Sequence, residues 1–205
     1  MQFDFYDIIT ILSAYLIGNI SPAIILGKIN GIDIKKEGSG NAGTTNALRV
    51  LGKKAAVITL VVDILKGVVA VKFGMMLGYE TGIWCALAVF CGHIWPCLYR
   101  FKGGKGVATA FGAILSVNWL LALTALAIVA CGLLISKRMS VGSLLGAATF
   151  PVACWFMEKD FIIVGCIMAA IVLIKHRANI VRLFKGEDPP MGIFKTKNRE
   201  DKQAE

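Results

Sequence analysis

Glycine, small polar residues and cations are concentrated in three short stretches of an otherwise apolar chain. The three stretches are GSGNAGTTNALR (38–49), GHIWPCLYRFKGGKGVAT (92–109) and KHRANIVRLFKGE (175–187). Glycine permits positive φ angles and leaves backbone N–H groups free to converge, and converging N–H groups bind anions. Lysine and arginine beside them add positive charge, and the planar fork of arginine suits a phosphate. These residue types therefore predict sites for phosphate.

The first stretch combines glycines with neutral hydrogen-bond donors and ends in an arginine. Its candidate substrate-binding residues are Gly38, Ser39, Gly40, Asn41, Thr44, Asn46 and Arg49. The pattern Gly-x-x-x-x-Gly-Lys-Ser/Thr is absent, so this stretch is not a P-loop. An ordinary flexible loop with a basic end is the alternative interpretation.

The second stretch again places glycines beside cations, in the segment FKGGKG (101–106). Its candidate residues are Lys102, Gly103, Gly104 and Lys105, and a helix is expected to begin near Gly106. A helix N-terminus with nearby lysines is an anion site, although a purely electrostatic membrane anchor would have the same residues. His93 precedes this segment inside an apolar run, where it is either a hydrogen-bonded residue at a helix end or a functional one.

The third stretch carries a histidine and an asparagine on one helical face. His176 and Asn179 are three residues apart, Arg182 continues the same face, and Glu187 follows Gly186 past the expected helix end. A solvated run of charges next to the membrane is the ordinary interpretation. A histidine with an asparagine on its face, together with two glycine-cation loops, favours a functional site.

The elements that position these stretches are membrane helices. The chain of 205 residues is 57% hydrophobic and 17% charged, with a mean hydropathy of +0.71, which is typical of polytopic membrane proteins. We therefore predict an all-α bundle of about seven transmembrane helices. The predicted spans are 5–29, 55–78, 81–99, 104–117, 119–136, 140–157 and 160–174. The fourth is short and contains glycine, so it either crosses fully or re-enters. The first lacks a basic leading region, which predicts a retained span rather than a signal peptide.

Basic residues predict the orientation of the bundle. Of the 22 Lys and Arg residues, 19 fall on the side that holds the three stretches. By the positive-inside rule this side is cytoplasmic, which places the N-terminus outside and the C-terminus in the cytoplasm. The net charge of +9 is explained by anionic lipid at this face and requires no nucleic acid. We predict one catalytic bundle over 1–190 and a polar cytoplasmic tail over 191–205.

Charged and polar residues also occur inside the apolar runs. Asp63 and Lys66 lie at i, i+3 in the second predicted span, where they either pair with each other or face a polar cavity. Asn19 and Ser21 lie at an expected kink before Pro22. The six cysteines form no Cys-x-x-Cys pair, so neither a metal nor another cofactor is predicted.

The three stretches, in residues and spacing, resemble the signature blocks of the PlsY-type bacterial glycerol-3-phosphate acyltransferases. GNISP (18–22) and DILKG (63–67) also resemble features of that family, and the likeness covers about residues 13 to 190. It implies transfer of a fatty acyl group from acyl phosphate to the sn-1 hydroxyl of glycerol 3-phosphate, giving lysophosphatidate and phosphate in the first acylation of phospholipid synthesis. The implied location is the bacterial plasma (inner) membrane, with the active site facing the cytoplasm. The implied partners are glycerol 3-phosphate, acyl phosphate and membrane lipids.

The residues agree with this implied reaction. Both substrates carry phosphate, and a bundle that faces lipid offers a groove for an acyl chain. Acyl phosphate is already activated, so direct attack needs no covalent enzyme intermediate, and the chain has no Gly-x-Ser-x-Gly elbow. The acyltransferase pattern His-x-x-x-x-Asp is also missing, since Leu98 and Val181 stand five residues after the two histidines.

On this hypothesis the three stretches divide the work between them. The expected catalytic residues are His176, Asn179, Lys105 and Ser39. The phosphate of one substrate would lie on the first loop with Arg49, and that of the other would lie on the FKGGKG segment. The sequence does not assign acyl phosphate or glycerol 3-phosphate to either loop. His176 and Asn179 would orient the glycerol hydroxyl. Its proton would pass either to His176 or to the phosphate of the substrate.

Three other classes of protein fit the composition less well. A transporter of phosphate esters would be expected to have polar residues at both membrane faces and an internal repeat. A transferase of the CDP-alcohol class usually relies on clustered aspartates. The aspartates before position 180, apart from the outer Asp160, are Asp4, Asp7, Asp33 and Asp63, and they form no cluster. A purely structural membrane protein has no need of three blocks rich in glycine and cations.

Overall fold

The computed structural model describes residues 3–191, and its helices follow the apolar runs of the sequence. The helices are α1 (Phe5–Gly18), α2 (Pro22–Ile29), α3 (Thr44–Val50), α4 (Gly52–Met75), α5 (Tyr79–Ile94), α6 (Val107–Val117), α7 (Trp119–Ser136), α8 (Met139–Met157), α9 (Ile162–Lys175) and α10 (Arg177–Phe184). Single 3-10 turns lie at Cys97–Tyr99 and Lys159–Phe161. The all-helical prediction is confirmed for the described residues. Residues 192–205, nearly all of the predicted tail, lie outside them, so the division at 190 stays a prediction.

All seven predicted spans are helical, but fewer meet the length and composition of a membrane crossing. Within residues 3–191 four segments do so, and the pair α9–α10, bent by 52°, would be a fifth. The helix α4 has 24 residues but carries Asp63, Lys66 and Lys72 in its apolar run. The helix α6 has 11 residues, a length of about 17 Å. Seven crossings and the placement of both termini therefore stay predictions.

The predicted kink before Pro22 is confirmed as a break between α1 and α2. Asn19 lies at this break and is fully buried. Its side-chain amide donates to Tyr15 O at 2.7 Å, and its side-chain oxygen accepts from the backbone N–H of Leu98 at 3.2 Å. The break is thus fastened to the turn that follows α5, which leads into the FKGGKG segment.

Glycines bring the helices into backbone contact. A Cβ on Gly18 of α1 would lie 2.9 Å from the Cα of Gly92 in α5, and a Cβ on Gly112 of α6 would lie 2.0 Å from Ile64 O in α4. Such close contacts fix the helices relative to one another. The ends of α5 and α6, which carry the second stretch, are therefore held firmly.

Two apolar clusters form the interior. The larger lies mainly among α5, α6, α8 and α9 and includes Phe90, Phe150, Phe161 and Met168. The smaller includes Ile24 and lies beneath the loop that joins α2 to α3, with Tyr99 packed against it. The smaller cluster includes Ala42 and Ala47 of the first stretch and the larger includes Ile94 of the second, so packed side chains support both loops.

Candidate functional site

A cavity of about 570 Å³ is lined by residues of all three polar stretches. The predicted site residues that line it are Ser39, Asn41, Thr44, Asn46, Arg49, His93, Lys105, His176 and Asn179. The prediction that the three stretches meet at one end of the bundle is confirmed. The roles assigned to individual residues stay predictions.

The cavity continues from these polar residues into the apolar part of the bundle. Its apolar lining comes from α6, α7, α8 and α9 and includes Phe111, Ile114, Leu126, Val129, Leu133, Phe150 and Met168. A cavity with cations at one end and hydrocarbon side chains at the other suits a molecule with an anionic head and a hydrocarbon chain.

The first loop is shaped by the side-chain amide of Asn46, which is fully buried. Asn46 Oδ1 accepts from the backbone N–H of Ser39 at 2.8 Å, and Nδ2 donates to Ile34 O at 3.1 Å and to Glu37 O at 3.0 Å. Gly38, with φ of +60°, leaves room for this contact, because a Cβ there would lie 2.4 Å from Asn46 Oδ1. Asn46 lines the cavity, but its amide groups hold the backbone of the loop.

The second loop is fastened to the end of α5. The backbone N–H groups of Gly103 and Gly104 donate to Ile94 O at 3.1 Å and to His93 O at 3.2 Å. A Cβ on Gly104 would lie 2.1 Å from His93 Nε2. These two glycines therefore permit close packing on α5 and do not line the cavity. Within the FKGGKG segment, the lining residues are Lys105 and Gly106.

His176 lies past the end of α9, at the bend before α10, and is only 3% exposed. Its Nδ1 lies 2.8 Å from Val172 O, so Nδ1 carries the proton and donates, and Nε2 is left as an acceptor. Burial, and then the charge of Lys105, lower the pKa of His176 to about 4. At neutral pH the imidazole is uncharged.

A chain of polar contacts joins the second and third stretches. Lys105 Nζ donates to Asn179 Oδ1, and Asn179 Nδ2 donates to Asp188 Oδ1 at 2.9 Å. Arg182 Nε contacts the same carboxylate oxygen at 3.2 Å, and the hydroxyl of Ser140 donates to the other. Burial, followed by repulsion from Arg182, lowers the pKa of Lys105 to about 8. The site is therefore rich in positive charge that is partly removed from water.

The acidic partner of Arg182 is Asp188 and not the neighbouring Glu187, which was the predicted site residue. Glu187 is exposed, whereas Asp188 is 4% exposed and lines the cavity. Gly186 has a φ of +72°, and the chain reverses there, so that the backbone N–H groups of residues 187 and 188 both donate to Arg182 O. This is a common way for a helix to end at glycine.

Residues 188–191 then cross the end of the cavity. The backbone oxygen of Pro189 accepts from Arg49 at 3.4 Å, and the backbone N–H of Met191 donates to Lys137 O at 2.8 Å. This segment thus contacts both the first stretch and the turn between α7 and α8.

His93 belongs to a buried charged group within the bundle. Of the two alternatives for Asp63 and Lys66, they pair with each other, with 2.7 Å between the carboxylate and Nζ, and Asp63 also lines the cavity. Lys66 Nζ also lies 2.8 Å from His93 Nδ1 and donates to Ile20 O at 2.6 Å. The same Nδ1 lies 3.3 Å from Asp63 Oδ1, and Nε2 lies beside Gly104. This group ties α4, α5 and the break between α1 and α2 to the second loop.

The remaining predicted site residues do not line the cavity. They are Gly38, Gly40, Lys102, Gly103, Gly104, Arg182 and Glu187. Polar side chains that line the cavity but were not among the predicted site residues are those of Thr45, Ser140, Ser143 and Asp188, and Asp63 lines it as one of its two alternatives allowed. Ser140 follows Lys137 and Arg138 at the basic face, so the sequence predicts which face it lies on, but it does not predict the contact with Asp188.

Within residues 3–191 no three His, Cys, Asp or Glu side chains are grouped to hold a metal.

The fold and cavity define a polytopic membrane protein whose pocket has cations at one end and apolar side chains at the other, and similarity to known proteins identifies its family. A profile described as glycerol-3-phosphate acyltransferase matches residues 8–186. A glycerol-3-phosphate acyltransferase of Thermoanaerobacter pseudethanolicus is 44% identical over 191 residues, covering 91% of this chain and 96% of that protein. One from Clostridioides difficile is 43% identical over 201 residues, covering 94% and 98% respectively.

Two similar crystal structures are of PlsY, an integral membrane glycerol 3-phosphate acyltransferase. Its glycerol 3-phosphate form has a TM-score of 0.87 and 29% identity, covering 93% of this chain and all of that one. Its lysophosphatidic acid form has a TM-score of 0.84 and 30% identity, covering 91% and 96%. The chain therefore belongs to the glycerol-3-phosphate acyltransferase family. Membership decides against the transporter, the CDP-alcohol transferase and the purely structural protein.

Proposed function

We propose that the protein transfers a fatty acyl group from acyl phosphate to the sn-1 hydroxyl of glycerol 3-phosphate, giving lysophosphatidate and phosphate. The observation that carries the proposal is the single cavity with cations at its polar end and an apolar continuation among α6–α9. The related PlsY structures are described as glycerol 3-phosphate and lysophosphatidic acid forms, which are a substrate and the product of this reaction.

The polar end has the charge and the donors to hold phosphate groups. Arg49 and Lys105 line the cavity. Arg182 does not line it but contacts Asp188, which does. The hydroxyl of Thr44 is buried, lines the same cavity, and has no hydrogen-bond partner within the described part of the chain. A phosphate oxygen would supply that partner. Lys105, positioned by Asn179, would offset the negative charge that grows on the departing phosphate.

The reaction proceeds by direct attack. The glycerol hydroxyl oxygen bonds to the acyl carbon, the bond from that carbon to the phosphate oxygen breaks, and inorganic phosphate leaves. The hydroxyl proton passes to a phosphate oxygen, because a phosphate monoester with a second pKa of about 6 is a stronger base than an imidazole whose pKa is lowered to about 4. His176 Nε2 accepts a hydrogen bond from the hydroxyl and orients it, without holding the proton.

The acyl chain lies in the apolar part of the cavity. Its lining by Phe111, Leu126 and Phe150 excludes water from the acyl carbon, which limits hydrolysis of the activated donor. The polar end lies at the face with the excess of Lys and Arg. The positive-inside rule supports a cytoplasmic placement of this face, and the bacterial origin of the relatives supports the inner membrane.

The test supplies purified protein with glycerol 3-phosphate and either palmitoyl phosphate or palmitoyl-CoA, in detergent. We expect lysophosphatidate from palmitoyl phosphate alone. Lys105→Ala should lose about 100-fold in rate, whereas Lys53→Ala, an exposed lysine that does not line the cavity, should retain full activity. Formation of product from palmitoyl-CoA alone would overturn the proposal. So would a labelled acyl group bound covalently to the protein when glycerol 3-phosphate is omitted.

A further inference from the structure

A second group of cations lies outside the cavity, around the ring of Tyr99. Lys28 Nζ is 5.6 Å and Lys35 Nζ is 5.3 Å from the ring centroid. Lys35 Nζ also donates to Tyr99 O at 3.1 Å. Arg100 and Lys102 follow in the same turn and are exposed. We refer to these five residues as the Tyr99 cluster; none of them lines the cavity.

The positive charge of this cluster exceeds the negative charge beside it. Asp33 is the carboxylate that faces Lys35, and it accepts from the backbone N–H of Lys35 at 3.1 Å. Partial burial lowers the pKa of Lys35, and the charges of Lys102, Lys28 and Arg100 lower it further, against the opposing effect of Asp33. Four cations held near one carboxylate repel one another, and a bound anion would relieve that repulsion.

Exposed apolar side chains stand in the same turn. Leu98 is 71% exposed and Phe101 is 59% exposed. Arg100 and Phe101 both adopt left-handed backbone conformations, with φ of +56° and +58°, which non-glycine residues rarely do. The backbone N–H of Phe101 donates to Pro96 O at 2.9 Å, which closes the turn. The turn thus presents two apolar side chains beside the cations.

The turn also lies at a membrane boundary. Tyr99 ends one candidate span, and Ile29, next to Lys28, ends another. Cations beside exposed apolar side chains at such a boundary suit a lipid, whose phosphate and acyl chains are adjacent. A soluble phosphate would gain nothing from Leu98 or Phe101.

We propose that the Tyr99 cluster binds the phosphate of an anionic membrane lipid, with Leu98 and Phe101 against its acyl chains. The site is separate from the cavity and does not depend on the proposed reaction. Phosphodiester and phosphomonoester lipids present the same charged oxygens to these cations, so the experiment includes one lipid of each kind.

The test measures lipid binding to delipidated protein by native mass spectrometry. Dioleoyl phosphatidylglycerol, dioleoyl phosphatidate and dioleoyl phosphatidylcholine share their acyl chains and differ in the headgroup. We expect at least one of the two anionic lipids to bind about tenfold more tightly than phosphatidylcholine. The double variant Lys28→Gln/Arg100→Gln should weaken that binding by about 10- to 30-fold, from about fivefold for each cation near a membrane surface.

A matched variant separates a specific site from a generally basic surface. Lys53→Gln/Lys54→Gln removes the same charge from exposed lysines at the start of α4, and it should change the affinity less than twofold. Equal losses in both double variants would overturn the proposal, as would equal binding of all three lipids. Displacement of the lipid by excess inorganic phosphate would assign the cluster to a soluble anion and also overturn it. Unchanged circular dichroism of both variants confirms that they are folded.

Discussion

The lowered pKa of Lys105 predicts an alkaline limit to activity. With a pKa of about 8 in the free protein, about nine-tenths of the molecules carry a charged Lys105 at pH 7 and about one-tenth at pH 9. If only the charged form binds phosphate productively, kcat/KM falls about tenfold between these two pH values. The substrates contribute nothing to this fall, because phosphate monoesters have a second pKa of about 6, are about nine-tenths ionised at pH 7 and become only more so at higher pH.

The assay follows lysophosphatidate formation from acyl phosphate across this pH range, with hydrolysis of the donor measured in parallel without enzyme. Bound phosphate favours the ammonium form of Lys105, so the limit in kcat should lie at higher pH than the limit in kcat/KM. Lys105→Arg keeps a charge that does not titrate in this range. It should lower the rate, because the guanidinium does not fit the contact with Asn179, but it should abolish the fall between pH 7 and pH 9.

The pH dependence of kcat/KM, rather than its absolute value, tests the assignment of the alkaline limit to Lys105. A fall near pH 8 that persists unchanged in Lys105→Arg would show that another group titrates, and the assignment to Lys105 would be wrong. The control is Lys53→Arg at an exposed site outside the cavity, which should retain the wild-type profile.

Three further changes probe the site. His176→Ala should lower kcat about 100-fold. The fall of kcat/KM at acid pH should remain in this variant, since the phosphate accepts the proton. If that fall disappeared, His176 would be the base. Asp188→Asn weakens contacts to Asn179 and Arg182 and should lower stability by about 1–3 kcal/mol, seen as a lower Tm in detergent; an unchanged Tm would contradict this. Gly104→Ala should lose at least about tenfold in activity, because its Cβ would lie 2.1 Å from His93 Nε2. In Gly78→Ala, where the nearest atom is 4.0 Å away, activity should persist.

Features that depend on local sequence were predictable. The helix α7 has the predicted bounds, and the break before Pro22 occurs where proline and two polar residues interrupt an apolar run. The convergence of the three stretches was also predictable, because the alternation of basic and non-basic junctions assigns each stretch to one face of the bundle. Hydropathy and charge contain this information without any tertiary contact.

Which residue of a loop enters the cavity was not predictable. Lys102 and Lys105 stand in the same motif, yet Lys105 lines the cavity and Lys102 belongs to the Tyr99 cluster. The difference depends on the left-handed conformations of residues 100 and 101, which their side chains do not favour. In the same way, the reversal at Gly186 brings residue 188 rather than residue 187 to Arg182. A shift of one residue in a turn exchanges a buried side chain for an exposed one.

The role of His176 shows most clearly what tertiary structure adds. The unperturbed pKa of a histidine, about 6.5, makes it a suitable general base at neutral pH. Burial and the neighbouring Lys105 weaken that basicity, and the same burial with nearby cations weakens the proton affinity of Lys105 itself. Both shifts have one cause, a dry site with more positive than negative charge. A dianionic phosphate would offset the part of each shift that comes from positive charge, whereas the larger part, which comes from burial, would remain. The site is therefore suited to a substrate that brings the missing charge and the base together.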